Sequence, residues 1–111
     1  MSDYYDSEDL KKFGSIGRHA RPLADGFFKY YHEATAADGA LTRREKALIA
    51  LAVSHAQKCP YCIDAWTTAC LEAGANPEQM MEAVHVAAAM QAGITLAHAV
   101  QMHNHLERLV L

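Results

Sequence analysis

The residues best suited to chemistry are two cysteines, Cys59 and Cys62, separated by a proline and a tyrosine. Pro60 is typical of the first position of a helix, so Cys59 is expected where that helix begins. Free backbone N–H groups and the positive end of the helix dipole stabilise a thiolate there. Two thiols at this spacing can also close a disulfide with little backbone movement. The pattern therefore predicts thiol redox chemistry.

A carboxylate and an imidazole precede the pair on another predicted helix. Spacings of three, four and three residues place four side chains on one face of that helix: Glu45, Leu48, Ala52 and His55. Because this face ends just before Cys59, the sequence predicts that Glu45, His55 and the two thiols meet at one corner. A Glu or His there can accept a thiol proton or pass protons as a peroxide is cleaved. The second thiol then resolves the sulfenic acid to a disulfide, which a thiol reductant reduces.

Other interpretations of these residues stay open. Glu45 also fits a capping box with Thr42, and His55 fits a histidine at a helix end. The cysteines could be an inert buried pair or half of a zinc site. Zinc takes three or four protein ligands, so His55 or Cys70 would have to complete such a site. Cys70, two turns after Cys62, is expected in the core rather than as a third redox partner.

The rest of the chain predicts an all-α fold of about five to six helices, since no stretch alternates polar and apolar residues as a strand does. Capping and proline signals predict where the helices begin: at Asp6 or Ser7, Pro22, Thr42, Pro60 and Asn76. Residues 47–53 are all apolar, so that helix is expected to be buried on every side. Gly74 is expected to end the fourth helix, and Gly93 to split the long last segment in two.

Composition limits the function classes. The 111 residues fit a single domain over 1–111, and the high apolar share of 51% indicates burial between subunits of a homo-oligomer. A net charge of −3, without a dense Lys/Arg cluster, argues against nucleic-acid binding. No uninterrupted apolar run approaches the roughly 20 residues of a membrane span. The acidic start is unlike a secretory signal, and three cysteines fit a reducing compartment, so a cytoplasmic location is expected.

Residues 41–53, then His55 and residues 59–65, resemble the alkylhydroperoxidase D-like part of the carboxymuconolactone decarboxylase family. Residues 81–89 resemble that family's following helix, so the likeness covers roughly 41–100. It implies an all-helical fold, assembly as trimers or hexamers, and peroxide or disulfide reduction at the cysteine pair. No metal or organic cofactor is implied.

Two short amino-terminal stretches resemble one branch more narrowly. Residues 3–6 and 10–14 are similar to peroxidase-like proteins associated with arsenosugar biosynthesis. Lactone decarboxylation, the reaction in the family's name, is not expected, because that branch works without the cysteine pair.

The family resemblance also implies residue roles. Cys62 would be the thiol that attacks the peroxide and Cys59 the resolving thiol, whereas the helix position favours Cys59 as the more acidic thiol; the order stays open. Glu45 matches the family's proton-relay carboxylate, and His55 matches a position often filled by histidine in shorter members. Well-studied members carry a histidine one turn after the second cysteine. Here that residue is Trp66, which cannot accept a proton.

The sequence thus predicts a cytoplasmic, peroxidase-like thiol oxidoreductase. Its partners would be a hydroperoxide or related thiol-reactive substrate and a thiol reductant, with neither nucleic acid nor a membrane. The rival hypothesis is a non-enzymatic accessory protein whose dithiol binds a partner or a soft ion such as zinc or trivalent arsenic. Trp66 in place of the histidine favours this rival.

Overall fold

The computed structural model describes residues 6–110, and in this range every regular element is a helix. The elements in chain order are a 3-10 helix Ser7–Lys12, α1 Phe13–Ile16, a second 3-10 helix Gly17–Ala20, α2 Arg21–Thr35, α3 Arg43–Ala56, α4 Pro60–Glu72, α5 Pro77–Ala97 and α6 Ala99–Val110. The all-α prediction is confirmed. Residues 3–5, which carry part of the narrower resemblance, lie outside the described residues.

Helix α3 is the centre of the fold, because α4 and α5 both pack against it. The buried apolar side chains come from α3 and from the end of α4 and the turn after it: Ala47, Leu51, Cys70 and Ala75. Leu48, Trp66 and Val84 pack around them. Cys70 is fully buried, as the sequence predicts. This core holds α4, and therefore the cysteine pair, against α3.

Only one face of α3 is buried in the protomer, so the expectation of burial on every side is wrong for the single chain. The side chains of Ile49 and Val53 are 51% and 55% exposed. The reason is that α2 stands off from this face, which lines a cleft instead of a packed interface.

Gly93 does not split the last segment. Helix α5 continues through Gly93 to Ala97, and the interruption comes at His98, after which α6 begins at Ala99. A glycine inside a helix costs about 1 kcal/mol relative to alanine, which a long helix tolerates. The predicted division into two helices is therefore confirmed, but its predicted position is wrong.

Helices α5 and α6 leave a long apolar surface uncovered. Their large apolar side chains are 44–71% exposed: Met81, Val86, Met90, Ile94, Leu96, Val100, Met102, Leu106, Leu109 and Val110. The radius of gyration is 18.7 Å, well above the roughly 13 Å of a compact chain of about this length. A single protomer is therefore an extended molecule with an apolar arm.

By length and composition, the continuous segment Pro77–Val110 could also cross a membrane. It has 34 residues and a mean hydropathy of 1.4 in its most apolar window, none of which is buried in the protomer. This differs from the sequence-based expectation, which considered only uninterrupted apolar runs. Core helices of soluble proteins meet the same criterion, so the finding alone assigns no membrane location.

The short amino-terminal helices, residues 7–20, form a wall in front of α4. Phe13 of α1 packs edge-on against Phe28 and Phe27 of α2, with ring centroids 5.1 and 6.3 Å apart. Gly17 allows the chain to turn closely over α2, because a Cβ at Gly17 would lie 2.7 Å from the Cβ of Ala24. This aromatic contact and close approach hold α1 beside the cysteine pair.

Candidate functional site

The turn between α3 and α4 places Cys59. Lys58 has a φ of 54°, in the left-handed region that costs a non-glycine residue about 1–2 kcal/mol. In return, the Lys58 N–H donates to the His55 carbonyl (3.1 Å) and the Cys59 N–H donates to the Ser54 carbonyl (3.0 Å). These two bonds satisfy the last carbonyls of α3 in the manner of a Schellman motif. Cys59 therefore follows directly on a fixed helix end.

Cys59 also caps α4. Its backbone is extended, Pro60 occupies the first helical turn, and its Sγ accepts the N–H of Cys62 at 3.4 Å. The Sγ atoms of Cys59 and Cys62 lie 2.7 Å apart in a hydrogen bond, and both thiols are free. The start of α4 at the redox pair is thus where the sequence predicts it.

The two thiols have opposite electrostatic surroundings. The Cys62 thiol and then the Cys62 backbone N–H donate to the Cys59 sulfur and lower the pKa of Cys59. Burial, followed by the hydrogen bond and negative charge of Cys59, raises the pKa of Cys62 to about 11. Cys59 is therefore the thiol that ionises first, as the helix position predicts.

Cys59 and Cys62 both line two apolar clefts. The larger, of about 740 Å³, lies under the amino-terminal wall and is lined by Leu10, Phe13, Ile16 and Phe28, among others. The smaller, of about 520 Å³, runs along α3 beside Ile49 and Val53. Four residues line both clefts: Tyr31, Cys59, Cys62 and Trp66. A substrate in either cleft can therefore reach the dithiol.

Trp66 lies one turn after Cys62 and joins α4 to α2. Its Nε1–H donates to the hydroxyl oxygen of Tyr31 at 3.3 Å, and the two rings are 6.3 Å apart. The sequence analysis did not identify Tyr31 as a residue of the site. The available signal was a phenol among apolar residues, since a buried tyrosine hydroxyl needs a polar partner.

Glu45 forms the capping box of α3 instead of approaching the cysteines. Its Oε1 accepts the N–H of Thr42 at 2.8 Å, and its own N–H donates to Thr42 Oγ1 at 3.1 Å. Hydrogen bonds from the Thr42 backbone and then its side chain lower the pKa of Glu45. The capping box, which was the structural alternative for Glu45, is therefore complete.

His55 is half-buried and donates through Nδ1 to the carbonyl of Leu51 at 2.9 Å. Within residues 6–110, neither His55 nor Glu45 has a hydrogen bond to a sulfur. The residues of α3 and its C-cap that line the smaller cleft with the cysteines do not include Glu45 or His55. They are Lys46, Ile49, Ala50, Val53, Ser54 and Gln57. The hydrogen bonds of Glu45 and His55 thus go to Thr42 and Leu51, and the meeting of this carboxylate and imidazole with the two thiols stays a prediction.

The described residues hold no group of three His, Cys, Asp or Glu side chains placed to bind a metal ion. Cys70, one candidate to complete a zinc site, is enclosed in the core. Among the described residues, the Cys59 and Cys62 sulfurs are the ligands that this site offers a soft ion.

Most of the chain matches one known protein family. The sequence model of the carboxymuconolactone decarboxylase family matches residues 22–103. This chain belongs to that family. It is also similar to a Paracoccus denitrificans protein named "Uncharacterized protein 4 in cox locus", with 43% identity over 99 residues, which are 89% of this chain and 88% of that protein. The family match begins at residue 22. The wall residues that line the larger cleft, such as Leu10, Phe13 and Ile16, therefore lie outside the matched region.

We expect pH-dependent alkylation to separate the two thiols. Cys59 should react with an inflection below the value of about 8.5 for an ordinary cysteine, because Cys62 donates to its thiolate. Cys62 should react only toward its pKa of about 11. The measurement is iodoacetamide labelling across pH with peptide mapping. In Cys62→Ala the Cys59 inflection should move upward, and preferential labelling of Cys62 at neutral pH would contradict this assignment.

Glu45→Gln separates capping from proton transfer. Glutamine can also close a capping box, so the variant should keep the thermal stability of the parent, whereas Glu45→Ala should lose some. If the proton relay implied by the family resemblance operates, Glu45→Gln must slow peroxide turnover at unchanged stability. Full turnover would leave Glu45 with its capping role alone. Thermal melting and a coupled turnover assay on the same preparations give both readings.

Proposed function

We propose that this protein is a peroxidase-like thiol oxidoreductase that cycles Cys59 and Cys62 between dithiol and disulfide. One observation carries the proposal: two free thiols in contact at a helix start, with the pKa of one lowered, open onto apolar clefts. Two further observations support it. The chain belongs to the carboxymuconolactone decarboxylase family, and its all-α fold places the cysteine pair in the lining of those clefts.

The proposed reaction has three steps. The Cys59 thiolate attacks a hydroperoxide, so that an S–O bond forms, the O–O bond breaks and the electron pair leaves on the alkoxide or hydroxide, which takes up a proton. Cys62 then attacks the sulfenic sulfur, forming the disulfide and releasing water with the Cys62 proton. A thiol reductant returns both cysteines to thiols by exchange.

The order of the two cysteines follows the electrostatics. The family resemblance implies Cys62 as the attacking thiol, but the environment that lowers the pKa of Cys59 raises that of Cys62 to about 11. Since the thiolate is the nucleophile, Cys59 is the better attacking group near neutral pH. Glu45 and His55 remain proposed relay residues that would act through substrate, water or another protomer.

The clefts suit an apolar hydroperoxide or a small apolar disulfide better than a charged substrate. Leu10, Phe13 and Phe28 line the larger cleft. The charged side chain of Lys12 at this cleft is paired with Asp9 at 2.9 Å, so it offers little attraction for an anion. Apolar area removed from water then supplies the binding energy for the organic part of the substrate.

The test uses tert-butyl hydroperoxide and single-cysteine variants. The parent should lose two thiols per chain on peroxide treatment and regain them with dithiothreitol. Cys62→Ser should abolish turnover while Cys59 sulfenic acid accumulates and is trapped by dimedone. Cys59→Ser should form little adduct at neutral pH. Cys70→Ala is the matched control and should keep turnover, because Cys70 is fully buried in the core.

Adduct on Cys62 in Cys59→Ser, with none in Cys62→Ser, would restore the family order. Peroxide that leaves both thiols intact would contradict the redox function. In that case stoichiometric binding of arsenite or zinc, lost in Cys59→Ala, would favour the accessory dithiol protein. Trp66 in place of the family histidine is the observation behind this second candidate, because an indole cannot serve as a base.

We also propose that the protein works as a homo-oligomer, a trimer or hexamer, in the cytoplasm. Ten large apolar side chains of α5 and α6 are 44–71% exposed, and extended apolar surfaces of this kind mark interaction sites. Sedimentation should therefore give a multiple of the 12.2 kDa chain mass, and Leu96→Glu, at a side chain 71% exposed in the protomer, should shift the population toward monomer. A monomeric parent, or recovery only in the membrane fraction, would contradict this proposal.

A further inference from the structure

We propose that the Tyr31 hydroxyl, positioned by Trp66, donates a proton to the oxygen that leaves when the cysteine thiolate cleaves a peroxide. The inference rests on the proposed dithiol reaction and names the acid that this reaction needs. It assigns a role to two residues on different helices, α2 and α4, that meet only in the folded chain.

The position of Trp66 creates the need for another acid. It stands one turn after Cys62 and lines both clefts together with Cys59 and Cys62. An indole N–H can donate a hydrogen bond but is not a proton donor in chemistry near neutral pH. Trp66 therefore cannot itself protonate a leaving alkoxide.

Tyr31 meets the geometric requirement. Its hydroxyl oxygen accepts the Trp66 N–H at 3.3 Å, which directs the phenolic proton away from the indole. Among residues 6–110 no acceptor takes that proton, so it is available to a bound substrate. Tyr31 lines both clefts together with Cys59 and Cys62. A peroxide bound at the sulfurs therefore shares its cleft with Tyr31, whichever of the two clefts it occupies.

The ring of Tyr31 is held in place. It packs against Phe27, one turn earlier on α2, with centroids 5.3 Å apart, and against Trp66 at 6.3 Å. Positioning on two helices restricts where the hydroxyl can lie, which is what a proton donor requires.

Two different groups stabilise the thiolate and protonate the leaving oxygen. The Cys62 thiol and N–H hold the Cys59 thiolate, so ionisation needs no separate base. As the S–O bond forms and the O–O bond breaks, the electron pair passes to the leaving oxygen, and the Tyr31 proton follows it. A phenol is a much stronger acid than water or an alcohol, so this transfer is downhill. The phenolate then regains a proton from solvent.

Tyr31→Phe removes only the hydroxyl and keeps the ring packing. Its single-turnover thiol loss with tert-butyl hydroperoxide should fall by about 10²-fold, the lower end of what general acid catalysis supplies. Its rate with iodoacetamide should stay at the parent value, because the departing iodide needs no proton. Tyr30→Phe is the matched control on the same helix, at a side chain 71% exposed, and should change neither rate.

Trp66→Phe tests the positioning role separately. It should lower the ratio of peroxide rate to iodoacetamide rate, a reading that a general loss of structure would not move. A parent-like peroxide rate in Tyr31→Phe, or an equal fall with both reagents, overturns the role of Tyr31 while the dithiol cycle stands. A parent that does not react with peroxide overturns the proposed function itself, and the inference with it.

Discussion

The capping of α4 by the Cys59 sulfur is the interaction on which the site depends. The turn at Lys58 ends α3 and sets the Cys59 N–H on the Ser54 carbonyl, so the residue that follows one helix begins the next. The same sulfur that accepts the helix N–H lies 2.7 Å from the Cys62 sulfur, and as a thiolate it accepts a hydrogen bond from the Cys62 thiol. One local arrangement thus stabilises the helix start, lowers the pKa of Cys59 and brings the second thiol into reach.

The small core explains why the rest of the protomer is open. Only four apolar residues of the described chain are buried, and they join α3 to the end of α4 and the turn after it. Aromatic contacts link the amino-terminal wall and α2 to α4: Phe13, Phe28, Phe27, Tyr31 and Trp66 follow one another in this chain of contacts. The two clefts lie beside these contacts at the dithiol, while the outer face of α5 and α6 stays uncovered.

Local signals in the sequence predicted most helix ends but not the contact between Tyr31 and Trp66. The capping box of Thr42 and Glu45, Pro60 at the start of α4 and Gly74 at its end all depend on hydrogen bonds within a few residues. The contact of Tyr31 with Trp66 spans 35 positions and depends on the angle between α2 and α4, which no local pattern encodes.

The orientation of α4 relative to α3 could not be predicted from local sequence patterns either. Helical periodicity groups side chains on one helix, but it does not tell how the next helix is oriented. That depends in part on the turn at Lys58, whose left-handed backbone is not predicted by its being a lysine. Gly93 shows the opposite error, since a residue that weakens a helix did not end one.

The most direct test of the account is the intact mass of the reduced protein before and after one equivalent of tert-butyl hydroperoxide, followed by peptide mapping. The account predicts a loss of two hydrogen atoms, located in a single peptide that contains a disulfide between Cys59 and Cys62 and reversed by dithiothreitol. An unchanged mass, or oxidation at methionines while both thiols remain alkylatable, would contradict it.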